Sequence, residues 1–224
     1  MENLPIHIPI IFALTTFLCV ALFYLAANKS KLFLFTMLAW LTVQAFIADS
    51  GFYTISDSMP PRFIALVAPA LLLILLLFVT QRGRNFIDNL DLKMLTLLHI
   101  VRIPVEMVLF WLFVQKTIPE LMTFEGRNFD ILSGLSAPLI CYFGFVRRKI
   151  GPKVLLAWNC ICLVLLVNIV TNAVLSVPSP FQKFAFEQPN IAVLHFPFVW
   201  LPCCVVPLVL FSHLAAIRQL LTRK

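Results

Sequence analysis

Residues 94–115 read MLTLLHIVRIPVEMVLFWLFVQ. As a helix rising about 1.5 Å per residue, this run is long enough to cross the roughly 30 Å hydrocarbon layer of a bilayer. It nevertheless holds His99, Arg102 and Glu106. At about 100° per residue these three fall within about 60° of one another, and Pro104 points away from them. A charge at mid-membrane costs at least ~2.5–3.5 kcal/mol on insertion scales, so the shared face must turn toward protein or water. With the helix starting near Met94, Glu106 lies about 18 Å deep and His99 about 8 Å.

Two readings of that face compete. In the structural one, Arg102 and Glu106 form an i, i+4 ion pair that locks the helix among its neighbours. In the functional one, the three are ligand or proton-coupling groups, with Glu106 the coupling carboxylate, Arg102 its counter-ion and His99 a proton relay.

The rest of the chain has the same apolar character. Of 224 residues, 61% are hydrophobic and only 12% charged, against roughly a quarter charged in soluble domains. Mean hydropathy is +0.98. Seven apolar runs are of spanning length: Pro5 to Ala27, Leu32 to Ala48, Arg62 to Thr80, Met94 to Gln115, Phe129 to Val146, Lys153 to Leu175 and Ile191 to Ala216. Lipid offers no hydrogen bonds to an open backbone, so these runs read as helices, and the lack of period-2 alternation excludes a barrel. The expectation is an all-α, seven-helix integral membrane protein forming a single domain over residues 1–224.

Placement of charge sets the orientation. Lys29, Lys31, Arg82, Arg84, Lys93, Arg147, Arg148, Lys149, Lys153, Arg218, Arg223 and Lys224 fall on one side, and only Arg62, Lys116, Arg127 and Lys183 on the other. The positive-inside rule then puts the N-terminus outside and the C-terminus in the cytoplasm, in the cytoplasmic membrane. Most acids, among them Glu2, Asp49, Asp57 and Glu187, lie on the outer side. The net charge of +7 therefore reports topology, and no nucleic-acid partner is expected. The acceptor pattern Asn28-Lys29-Ser30 falls inside, where it is inert to glycosylation.

Loop lengths alternate short, long, then short, long, which suggests a 3+1+3 parallel repeat with units 1–80 and 129–224 and a linker span 94–115. Leu38-Ala39-Trp40 and Leu156-Ala157-Trp158 match at an offset of 118 residues, as do Pro60 and Pro178. Small transporters built from parallel repeats bind their ligands at the repeat interface.

Other polar residues extend the candidate site. Asn168, Asn172, His195, Gln44 and Asp49 approach one depth in the outer half and could line a cavity open to the outer side. With Asn159, the two asparagines could instead serve as interhelical glue. The segment MTFEGRNFDIL at 122–132, with Glu120 just before it, marks a candidate outer mouth: Glu120, Glu125, Arg127, Asn128 and Asp130. There Asn128 and Asp130 also suit a helix start, and Gly126 between two charges suggests a shaped turn. Pro197, Pro202 and Pro207 predict a bent, partly opened seventh helix.

Several classes are excluded. The six cysteines all fall in apolar runs and read as buried free thiols, and Cys160 and Cys162 point about 200° apart on a helix. No metal or cofactor is expected. The seventh run has no lysine for a retinal Schiff base, and no Gly-rich phosphate loop, nucleophile elbow or HExxH pattern is present. The functional expectation is a transporter or carrier with a small molecule or ion as ligand. A sensor, assembly factor or partner subunit bound to another membrane protein comes second. A metal-dependent lipid hydrolase comes third, since His99 and His213 together supply two ligands at most.

Overall fold

The structure, a computed structural model, describes residues 4–222; Glu2, Arg223 and Lys224 lie outside them. It is all-helical, with no strand among the described residues. Five helical segments are long and apolar enough to cross a membrane, and a sixth qualifies if a sharply bent pair counts as one span. The chain is a multi-helix membrane protein.

The long segments are α1 (His7–Ala26), α2 (Lys31–Asp49), the run Leu92–Val114, the helix Pro152–Val174, and Leu201–Thr222. The bent pair is α3 (Ile64–Val79) and α4 (Gln81–Asp88), which meet at 92°. Thr80 ends one and caps the other, its hydroxyl accepting from the Gly83 N–H. The run Phe129 to Val146 is helical only over Ile131–Val146, a shorter apolar stretch than the five long segments.

Proline explains two of the departures from continuous helices, those at Pro104 and Pro197. The run that opened the sequence reading is α5 (Leu92–Leu98), a 3-10 turn at His99–Val101, and α6 (Arg102–Val114). Pro104 has no N–H for the Ile100 carbonyl and crowds it, so the helix tightens there. The fifth run is α7 (Ile131–Cys141) closed by a π turn at Tyr142–Val146, followed by α8 (Pro152–Val174), which starts with proline where a helix tolerates it.

The seventh run corrects the sequence reading most. Residues 191–199 carry only a 3-10 turn at Ala192–Leu194 and a cis Phe196–Pro197 bond. Helix begins at Leu201 as a π turn, Leu201–Val205, and continues as α9 (Val206–Thr222). The residue before a proline is driven away from helical backbone, which defers the start past Pro197.

The central element is the α5–α6 segment, packed against α1, α7 and α9, while α8 lies along α9. A core of buried side chains such as Phe12, Leu98, Leu112 and Phe198 runs through these contacts. α2 stands at the periphery and is tied in by two indoles. Trp40 Nε1 donates to the Cys203 carbonyl at 3.0 Å, and Trp200 Nε1 donates to the Leu41 carbonyl at 3.0 Å. Cys203 is four residues before Pro207, so Trp40 serves the carbonyl that proline leaves without its helical donor. The extensive α8–α9 packing has no counterpart of that extent between α2 and α3, the pair a 3+1+3 repeat would match to it. Packing therefore lends the repeat no support.

Candidate functional site

A polar cluster is buried on the inward face of the central segment. His99, Arg102 and Glu106 all turn to the core, with His99 0% and Glu106 2% exposed. Arg102 and Glu106 find their hydrogen-bond partners on other elements. Arg102 Nη1 forms a buried ion pair with Asp130 Oδ1, and its Nη2 lies 3.1 Å from His213 Nε2 in α9. An arginine only donates, so His213 Nε2 accepts and the ring proton sits on Nδ1. Nδ1 then donates to Asn159 Oδ1 in α8, 2.9 Å away. Asn159 Nδ2 donates to the Leu155 carbonyl at 2.9 Å, which agrees with that assignment.

Glu106 is not ion-paired with Arg102 among the described residues. Asn128 Nδ2 straddles the carboxylate, 2.7 and 2.6 Å from its two oxygens, and also reaches the Met122 carbonyl at 3.0 Å. The Asn128 Oδ1 accepts from the Asp130 N–H at 3.0 Å. One asparagine thus joins the Glu106 carboxylate to the residue that neutralises Arg102. The i, i+4 lock is replaced by a chain that runs Glu106, Asn128, Asp130, Arg102, His213, Asn159 through four elements.

Backbone approach makes this possible. A Cβ on Gly134 would sit 3.0 Å from Ile103 Cγ1 and 3.2 Å from Arg102 Cβ. Glycine there lets α7 close on α6, and Asp130, one turn earlier on the same face, reaches Arg102. Gly126 has a similar role in the preceding loop, where a Cβ would meet the Glu120 carbonyl at 2.3 Å. The shaped turn expected from the sequence folds back against residues 120–121 and delivers Asn128 inward.

His99 stacks on His213, ring centroids 3.8 Å apart and 13° from parallel, with Trp158 edge-on to it at 5.5 Å. Neither nitrogen of His99 has a hydrogen-bond partner, and Arg102 Nε is also buried without one, while the Ser133 hydroxyl faces Asp130 and Cys162. Each such group costs about 1–3 kcal/mol of unmet solvation. Three unpartnered nitrogens therefore collect around one charged centre.

The other sequence candidates do not converge on it. Asn128 and Asp130 belong to the buried chain rather than to an outer mouth. Glu120 and Arg127 line an open groove of about 570 Å³ with Glu187 and Gln188, and Glu125 is exposed beside it. Gln44 is buried under Tyr53, whose hydroxyl donates to its Oε1, and burial pushes the Tyr53 phenol up to about 12. Asp49 is exposed, and His195 is half-buried in the segment before Leu201. Exposed Asn168 donates to the Arg127 carbonyl at 2.8 Å, which ties α8 to the loop before α7, and Asn172 donates to Asn168 Oδ1 at 3.4 Å within α8 itself. None of Asn168, Asn172, His195, Gln44 and Asp49 lines the groove.

Sequence reasoning placed His213 near His99 but missed Trp158 and Ser133. Ser133 could have been found one turn from Asp130 on α7. Trp158 gave no polar signal of its own. No group of three or more metal-binding side chains occurs among the described residues.

Residues 59–221 match the model of a family described as a domain of unknown function, DUF8737. That stretch runs from just before α3 to the end of α9 and contains the whole polar chain. No curated protein and no solved structure matches the chain.

Proposed function

We propose, from the premise that the chain belongs to the DUF8737 family, that it is a small carrier of the cytoplasmic membrane with its ligand- and proton-coupling centre at His99, Arg102 and Glu106. The reading takes all seven apolar runs as spans, with the N-terminus outside and the cation-rich loops in the cytoplasm. One observation carries it: three unpartnered nitrogens, two on His99 and one on Arg102, concentrate at a buried Arg–Asp pair and two stacked imidazoles. A core that served only packing would be more stable with apolar groups there. Coupling chemistry needs groups whose bonds can be exchanged.

The bonding pattern supplies a route for that exchange. His213 accepts from Arg102, so a proton arriving on His213 Nε2 removes the acceptor and sets two cations side by side. His99, stacked on it with both nitrogens free, can take or hand on that proton only after one ring turns, because in the stack the nitrogen lone pairs lie in parallel planes and do not face each other. Freed from His213, the guanidinium has an N–H to offer an anionic or carbonyl-bearing ligand, while Glu106 gains or loses charge against Asn128. The reading does not draw on an internal repeat.

The closed interior favours a second reading, a non-transporting partner subunit whose buried chain only fixes helix order. Native mass spectrometry of the detergent-purified protein, wild type beside Glu106→Gln, separates the two. A small molecule that co-purifies with wild type and is lost from a folded Glu106→Gln protein supports the carrier. No small molecule in either form, with only a lower melting temperature in the variant, overturns it in favour of the subunit.

A further inference from the structure

A crevice of about 70 Å³ opens between α3 and α8. Phe63 and Leu66 line it from α3 and the residue before it, Val170 and Val174 from α8, and Met122 from the loop that carries Asn128. Asn190 is the one polar side chain among its lining residues. The outer faces of both flanking helices are exposed and apolar, with Leu72 and Leu75 on α3 and Val164 and Val167 on α8 all more than half exposed. In a membrane protein such faces meet hydrocarbon, so the crevice gives onto lipid.

Asn190 is fully buried, and its bonds are specific. Its N–H donates to the Ser176 carbonyl at 2.8 Å and its Nδ2 to the Ala173 carbonyl at 3.2 Å, which fixes the amide against the end of α8. Its Oδ1 has no partner. A carboxamide oxygen can only accept, so whatever satisfies it must bring an N–H or O–H. The volume exceeds by several times the roughly 10–15 Å³ that one water needs, yet almost no polar surface is present to hold water. A short run of methylenes suits it better.

We propose that this crevice seats one acyl chain of a membrane lipid whose head carries a hydrogen-bond donor, with that donor meeting Asn190 Oδ1. The proposal is independent of the carrier reading. It does place lipid next to the polar chain, because Met122 in the lining accepts from Asn128 through its carbonyl.

The test uses full-length protein in nanodiscs holding equal amounts of phosphatidylethanolamine, which has N–H donors, and phosphatidylcholine with identical chains, which has none. After transfer to detergent, native mass spectrometry counts what stays bound. One retained lipid, with the ethanolamine form favoured severalfold, is the expected result. A phosphatidylethanolamine with a diazirine in its acyl chain should label peptides containing residues 63–67 or 170–177 on irradiation. Ala173→Phe, which fills the crevice, should abolish that labelling while the melting temperature holds. Equal retention of the two lipids, or labelling spread along α2 instead, overturns the proposal. Both measurements are decisive on wild type alone if Ala173→Phe does not fold. Loss of ligand in Glu106→Gln with lipid retained bears on the carrier reading and not on this one.

Discussion

Arg102 is gripped from two sides, by the carboxylate of Asp130, the residue before α7, and by the His213 ring in α9, and nothing smaller than a forked guanidinium spans both. Removing one member of a buried pair strands the other charge, typically at about 3–5 kcal/mol. Arg102→Met is therefore expected to lower unfolding stability by that amount in detergent denaturation. Arg102→Lys should recover only part of the loss, because a single ammonium cannot reach both acceptors with the same geometry. Full recovery by lysine would show that only the charge matters. At this scale the sequence was half legible. That His99, Arg102 and Glu106 share an inward face follows from helical period and the cost of charge in lipid. Their partners were hidden, because Asp130 lies 28 residues from Arg102 and His213 lies 111 away, and periodicity says nothing about which helices become neighbours.

Elements are held by a few backbone-level devices. Gly134 allows α7 to lie against α6, so Gly134→Val should force the helices apart at Arg102. An overpacking cost of about 1–3 kcal/mol is expected. Its effect should be less than additive with Asp130→Asn, since both disrupt the same pairing; strict additivity in a double-mutant cycle would refute that link. The indole pair joining α2 to the π turn gives a second expectation. Trp40→Phe leaves the Cys203 carbonyl beside Pro207 without a donor and should cost about 1–3 kcal/mol, measurable as a lower melting temperature, whereas Leu38→Ala on the exposed lipid side should cost less. The sequence announced the prolines and a bent last helix. It missed that residues 191–199 carry no α-helix, because their composition is as apolar as a span while their backbone is set by Pro197 and by tertiary packing.

For the whole molecule, membrane character was the most legible property, since it rests on summed hydropathy and needs no pairing information. The count of spans was less so. A run of apolar letters does not say whether a helix stays straight, and α3 turns through 92° into α4. The proposed orientation gives a direct expectation: protease-sensitive tags should be cut from outside at the N-terminus and protected at the C-terminus in intact cells. The reverse pattern would invert every assignment of outer and inner loops. The end of the bundle that the proposal turns to the cytoplasm is closed by Arg218, bidentate on Asp88 at 2.9 Å, and by Gln219, which donates to the Ile87 and Leu90 carbonyls. With Asp88 40% exposed at its side chain, solvent screens that ion pair and it contributes little, and the buried glutamine matters more. The shortness of the helical stretch Ile131–Val146 has a consequence for the membrane itself. If it spans, its roughly 24 Å faces a hydrocarbon layer of about 30 Å, so the bilayer must thin along that flank. The protein would then travel with a dimple in its surrounding lipid, and thicker, stiffer membranes would resist taking it in.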